Sequence, residues 1–288
     1  MADGQKWPVM HMGENSVTMG SAGYRGRLAP TPSGYLHEGH VQTFRVVQER
    51  AVSQGGTVIL RNDNLDRNRC RPEYEQAMME DLRALGFRWQ EGPDCGGPVG
   101  PYAQAERQTS YQEFWEKLVA ARVVYPCFCA RKDVREALAA PQEGGGEGEM
   151  VFPPDLRPSG EWEMPEEPLF CNWRFRVPDG QAITFADGRV GACRYEAGKD
   201  FGDFLVWRKD GYPSYELATV IDDHLMNITE VVRGEDLLLS TARQLLLYEA
   251  LGWAPPQFYH TPLLRDQTGR RLAKRDHAAR AAKPSREK

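Results

Sequence analysis

The chain has 288 residues, 41% of them apolar, and a formal net charge of -5. That length carries one large domain, or one domain with a substantial insertion, and the negative balance excludes nucleic-acid binding by bulk positive charge, leaving room only for a local basic groove. No run nears the roughly 18 to 20 apolar residues that a membrane helix needs, and residues 1–23 lack a signal peptide's apolar core, so the expected setting is the cytoplasm.

Residues 1–23 are polar and rich in Gly and Met, with no sustained period, and read as a flexible extension. The first half of the folded domain is expected over 24–126. "YRGRLAP" is a strand, and Val41, Phe44, Val47 and Ala51 recur at the spacing of a helix packed on one face. "TVILR" at 57–61 is an apolar run of buried-strand type, so strand, helix and strand form the crossover unit of a parallel sheet. A second helix follows, with Pro72 in its first turn, an apolar stripe of Ala77, Met78, Leu82 and Leu85, and Gly86 as its stop. A third is predicted from about Ala103 to Ala121.

From 127 to 203 the composition turns to Pro, Gly and Glu, and "WRFRV", "ITFAD" and "ACRYE" read as a small antiparallel section inserted into the larger domain. The second half of that domain is expected over 204–276, with a tight turn at Asp210–Gly211, the strand "NITEVVRG", a helix carrying Leu245, Leu246 and Leu251, and the strand "FYHTPLLRD". Residues 277–288 are a basic tail. The fold class is therefore α/β, a Rossmann-like parallel sheet with an inserted α+β subdomain. The six cysteines are scattered and read as reduced; Cys127 and Cys129 alone stand close enough to suggest half of a metal site.

"GYLHEGH" at 34–40 lies where the first strand turns into the first helix, the position at which a parallel sheet aims helix-terminal amides at phosphate. Gly34 and Gly39 let backbone approach a ligand, and His37 and His40 can stabilise negative charge on a transferring phosphoryl group. By spacing alone, an HxxH pair is more often a cap or core feature. "RLAPTPSGYLHEGH" resembles the first signature of class I aminoacyl-tRNA synthetases in its glutamyl form, and "RRLAKRD", with Arg271, Leu272, Ala273, Lys274 and Arg275 in register, resembles the second. Between them, "SYELATVIDDHLMNITEVVRGEDLL" resembles the glutamate-specific stretch.

The chain ends shortly after Arg275, so the expectation is that no anticodon-binding domain follows, an arrangement similar to the glutamyl-queuosine tRNA(Asp) synthetases. The resemblance implies a monomeric ligase that activates L-glutamate with ATP and Mg2+ and passes it to the queuosine base of tRNA(Asp). It implies a glutamate pocket of Arg27, Thr31, Asp63, Tyr215 and Arg233, and an ATP site of His37, Gly39, His40, Lys274 and Arg275, in which His37, His40 and Lys274 are catalytic. Four positions depart from the family pattern. Asp63 in "RNDN" stands where a glutamate is usual, and "FPPDL" puts Phe152 and Leu156 where the second zinc half-site belongs, so zinc is expected to be absent. Ala273 replaces the loop serine, and Glu38 sets a carboxylate beside the phosphate site. Three other readings compete: a non-catalytic paralogue that binds tRNA or nucleotide, a glutamyl-tRNA synthetase-like ligase with a different acceptor, and a small-molecule adenylyltransferase.

Overall fold

The computed structural model describes residues 23–36, 38–129 and 151–263. Strand β1 (Arg25–Leu28) pairs in parallel with β2 (Thr57–Leu60), and helix α1 (Glu38–Ser53) crosses between them, burying Val41, Phe44, Val47 and Ala51 as the periodicity predicts. β2 is apolar on both faces and almost wholly buried, as a parallel strand covered on two sides must be. Gly56 starts β2 against Tyr24, so close that a Cβ there would overlap the Tyr24 carbonyl. Helix α2 (Pro72–Ala84) closes at Gly86, whose φ of +87° suits the left-handed stop.

β8 (Glu230–Gly234) and β9 (Gln257–Thr261) form a second parallel pair, joined by helix α5 (Leu238–Ala250). β1 lies beside β8: the Thr229 amide donates to the Arg25 carbonyl at 3.0 Å, and the Arg25 amide donates to Thr229 Oγ1 at 2.8 Å. On the far side of β2, the Leu60 amide donates to the Glu91 carbonyl at 2.8 Å. The order across this layer is thus β2, β1, β8, β9, with first and last parts of the chain meeting at its centre.

Two outcomes differ from the sequence reading. Helix α3 (Gln108–Ala120) begins later than Ala103, because residues 104–106 form a 3-10 turn that directs the buried Gln104 and Arg107 inward. The antiparallel pieces also divide between two sheets. β3 (Val124–Cys127), β4 (Asn172–Phe175) and β7 (Phe204–Trp207) make one. The hairpin of β5 (Ala182–Asp187) and β6 (Gly191–Glu196) instead extends the parallel layer, with Asp187 in register with Phe258 of β9. Ile183 is buried with the main core and Phe185 meets Phe258 edge-on at 6.1 Å, which holds the hairpin there. After β7 the chain reverses at Asp210–Gly211, Gly211 having φ +85°, and Ser214 caps helix α4 (Tyr215–Leu225) by accepting from the Leu217 amide.

The largest core cluster joins α3, α4 and α5 to the three-stranded sheet. Trp173 is fully buried within it, edge-on to Trp115 at 5.2 Å and to Trp162 at 5.1 Å. Trp173→Ala is expected to lower stability by about 3 to 5 kcal/mol, the usual cost of truncating a buried tryptophan, measured by urea unfolding. A loss below about 1 kcal/mol would show that the cluster repacks freely.

Candidate functional site

At the carboxyl ends of β1 and β2, six charged side chains are buried together. Arg61, wholly inaccessible, donates from Nε to Asp63 Oδ1 at 2.7 Å and from a terminal nitrogen to Asp223 Oδ1 at 2.7 Å. Arg27 donates from Nε to the same Asp223 oxygen at 3.1 Å and from a terminal nitrogen to the Val232 carbonyl at 3.0 Å. Asp222, the neighbour of Asp223 on α4, accepts from Arg107 Nε at 2.6 Å, from Gln104 at 2.8 Å and from the Tyr111 hydroxyl at 2.9 Å.

Burial alone would push every one of these carboxylates toward the neutral form. The balance differs by position. Asp223, gripped by two guanidinium groups, is held below the usual carboxylate range even against its burial. Burial outweighs Arg61 at Asp63, which is pushed up to about 6, and it also raises Asp222 despite its partners.

A second cluster sits at the end of β8. Arg233 is 5% exposed; its Nε donates to His260 Nε2 at 3.2 Å, and its terminal nitrogens donate to Thr241 Oγ1 at 2.7 Å and to the Tyr215 hydroxyl at 3.4 Å. All three partners are neutral, and among the described residues Arg233 makes no ion pair. Glu216, whose charge Arg233 helps to stabilise, gives its carboxylate to Ser240 and Gln244 instead. Tyr215 is 45% exposed, so the hydroxyl bonded to this buried guanidinium belongs to a side chain at the surface. One turn along α4 from Tyr215, Thr219 is buried, and its hydroxyl has no partner among the described residues. A buried cation with neutral partners is chemically matched to a carboxylate ligand.

The two clusters share one edge. Arg27 binds the carbonyl that precedes Arg233, and the Asp63 amide donates to the Pro30 carbonyl at 3.1 Å, next to Thr31. Arg27, Thr31, Asp63, Tyr215 and Arg233 are thus brought to the carboxyl ends of β1, β2 and β8. His40 and Gly39 lie in the first turn of α1, His40 stacked on Phe44 at 5.9 Å, and Thr43 of the same helix meets Thr261 of β9 at 3.0 Å. This turn opens at the strand ends, so its free amides and His40 suit the phosphates of a nucleotide. Glu38 is exposed, which answers the concern its carboxylate raised. His37, Lys274 and Arg275 lie outside the described residues.

As site residues the sequence reading singled out none of Arg61, Arg107, Thr219, Asp187 and His260, and it placed Tyr111 only on the apolar face of the third helix, though charges inside apolar runs such as "VILRND" and "TVIDDHL" were a signal, since a buried charge must have partners.

Cys127 is buried at the end of β3, its sulfur accepting from Arg174 Nε at 3.3 Å, and it packs with Tyr125 and Phe152 while Cys129 and Leu156 lie against them. Those neighbours are apolar, and among the described residues no group of three or more His, Cys, Asp or Glu side chains is arranged to hold a metal. No helix among the described residues is long and apolar enough to cross a membrane.

A parallel layer with a helix N-terminus at its carboxyl edge and a buried guanidinium with neutral partners beside it is compatible with a class I synthetase catalytic domain. Residues 24–285 match the family model "tRNA synthetases class I (E and Q), catalytic domain", and the chain belongs to that family. It is 44% identical over 260 residues to a glutamyl-Q tRNA(Asp) synthetase of Symbiobacterium thermophilum, covering 89% of this chain and 80% of the relative. Its identity to a glutamyl-Q tRNA(Asp) synthetase of Nitratidesulfovibrio vulgaris is 43% over 258 residues, covering 87% and 78%. The crystal structure of a glutamate-tRNA synthetase from Elizabethkingia anophelis matches with a TM-score of 0.74 at 32% identity, over 88% of this chain but 53% of that one.

Arg61→Met leaves three buried carboxylates sharing two guanidinium groups. The expected loss of stability is about 3 to 5 kcal/mol near neutral pH. Unfolding as a function of pH supplies the check: the unpaired carboxylate takes up a proton in the folded state, so the loss shrinks as pH falls toward 5. A pH-independent loss would show that the effect is one of packing.

Proposed function

We propose that the protein activates L-glutamate with ATP to form glutamyl-adenylate, releasing pyrophosphate, and then transfers the glutamyl group to the queuosine base of tRNA(Asp), releasing AMP. The observation that carries this reading is Arg233, a buried guanidinium with only neutral partners among the described residues, one of them the Tyr215 hydroxyl. Family membership and the two glutamyl-Q relatives support the same substrate.

In this reading Arg233 and Tyr215 bind one carboxylate of glutamate, Arg27 and Thr31 orient the other end, and Asp63 receives the ammonium. Asp63 is a methylene shorter than the family's glutamate, yet Arg61 holds it at 2.7 Å and fixes its direction. The first turn of α1, with Gly39 and His40, receives the phosphates, and the resemblance adds His37, Lys274 and Arg275 to the ATP site. His37, His40 and Lys274 stabilise the charge that develops as the glutamate carboxylate displaces pyrophosphate from the α-phosphorus. Magnesium bound with ATP would spread the charge of the leaving pyrophosphate. The proposed setting is the cytoplasm, where charged tRNA is used.

ATP–pyrophosphate exchange tests the first half: glutamate should support exchange without tRNA, and a folded protein that exchanges under neither condition would favour a non-catalytic binding role. His40→Ala and Lys274→Ala should each lower the exchange rate roughly 100- to 1000-fold with little change in glutamate affinity. Unchanged turnover would remove both from the mechanism.

Asp63 makes a pH signature. With its carboxyl near 6, protonation below that value neutralises the partner of the substrate ammonium, so the glutamate KM should rise as pH falls through about 6. Asp63→Asn should have a high KM that no longer changes across this range. A wild-type KM that is flat from pH 5 to 8 would place the ammonium elsewhere.

A further inference from the structure

The orientation of Arg233 depends on a chain of groups that ends far from the substrate edge. His260 is wholly buried on β9, and its Nδ1 lies 2.7 Å from Asp187 Oδ2. Asp187 terminates β5, and its carboxylate also accepts from the amides of Arg189, Val190 and His260. Four donors on one carboxylate keep it ionised, and it is held below its usual range although burial opposes this. An ionised Asp187 selects the tautomer: the proton sits on Nδ1, and the lone pair of Nε2 faces Arg233 Nε at 3.2 Å. Burial, with the Arg233 charge beside it, favours the neutral ring.

The acceptor matters because Arg233 has few. With its other nitrogens on Thr241 and Tyr215, the Nε–H bond to His260 sets the plane of the guanidinium fork, and a planar fork must be aligned to grip a carboxylate with two bonds. Thr241 lies 3.1 Å from the same His260 nitrogen and donates to the Leu237 carbonyl, tying the pair to the start of α5. Asp187 reaches this place only because the β5–β6 hairpin docks on β9 at Phe258. Arg189 of the hairpin turn fastens the arrangement from outside, donating to the His260 carbonyl and pairing with Glu235, two residues beyond Arg233.

We propose that His260 is the positioning residue for Arg233 in glutamate recognition, with Asp187 of the β5–β6 turn fixing its tautomer. This rests on the assignment of Arg233 to the glutamate carboxylate. His260 touches no substrate in this scheme; it acts by presenting an acceptor, and the hairpin is thereby part of the amino-acid specificity apparatus although it lies outside the pocket.

Two amide substitutions separate this role from simple core filling. His260→Gln puts an amide oxygen near the Nε2 position and keeps an acceptor for Arg233. His260→Asn puts its amide near Nδ1, keeps the Asp187 bond and removes that acceptor. Glutamate-dependent ATP–pyrophosphate exchange is measured for both, with KM for glutamate, KM for ATP and kcat, alongside thermal unfolding.

The expected result is a glutamate KM raised on the order of tenfold or more in His260→Asn and within about twofold of wild type in His260→Gln, with the ATP KM unchanged in both. Equal effects of the two amides, large or small, overturn the proposal. If His260→Asn does not fold, Asp187→Asn decides: loss of the carboxylate frees the other tautomer, so a raised glutamate KM with unchanged ATP KM is expected, and an unchanged glutamate KM overturns the proposal. Arg233→Lys is the control for the underlying reading. A wild-type glutamate KM in Arg233→Lys defeats the pocket assignment itself, whereas a raised one together with equal His260 amides defeats only the positioning role.

Discussion

Charge balance inside a low-dielectric core governs the architecture of this domain. Arg27, Arg61 and Arg107 face Asp63, Asp222 and Asp223, three cations against three anions, all nearly or wholly inaccessible. Moving each ion out of water costs several kcal/mol, offset only when partners and hydrogen bonds are complete, so the set is stable as a whole and poor in parts. The geometry follows from that. Asp222 and Asp223 are adjacent on α4; both meet Arg61, Asp222 also pairs with Arg107 and Asp223 with Arg27, which fixes the rotation of the helix, and that rotation delivers Tyr215, two turns earlier, to Arg233.

The second polar cluster is built on the opposite principle. Where the first is neutral within itself, Arg233 has a hydroxyl, an imidazole and a phenol as its partners among the described residues. The contrast is one of availability: the first set is balanced within itself, with Arg27 and Asp63 at its ligand-facing edge, and the neighbouring Arg233 charge has no anion of its own among the described residues. Both lie at the carboxyl ends of parallel strands, where the connecting loops leave room. α1 serves the two at once, presenting His40 at its first turn and touching β9 through Thr43 and Thr261.

Much of this was legible in the residues. The stripe Val41, Phe44, Val47 and Ala51 and the run "TVILR" define the first crossover because burial on one helix face and on both strand faces leaves distinct patterns. The signature motifs, read together and in order, carried the family. What remained hidden depends on long-range pairing. Nothing local shows that "ITFAD" joins β9 while "WRFRV" joins a different sheet, since alternation reports a half-buried strand and not its neighbour. The late start of α3 was missed because Gln104 and Arg107 look like ordinary surface residues until Asp222, more than a hundred positions away, is placed beside them. Asp187 and His260 escaped for the same reason.

The pairing of β1 with β8 also bears on how the chain is made. Arg25 bonds Thr229 across 204 positions, and Arg27 bonds Asp223 across 196. During synthesis the amino-terminal strands emerge with their central neighbour still untranslated, and Arg27 and Arg61 lack Asp223 until α4 leaves the ribosome. Contacts of such separation are slow to form, because the loop entropy is lost before the contact stabilises anything. The α1–β2–α2 segment must therefore wait, with part of its apolar surface uncovered, for most of the polypeptide to appear. A protein arranged in this way keeps apolar surface uncovered during synthesis for a longer interval than one whose neighbours in space are also neighbours in sequence.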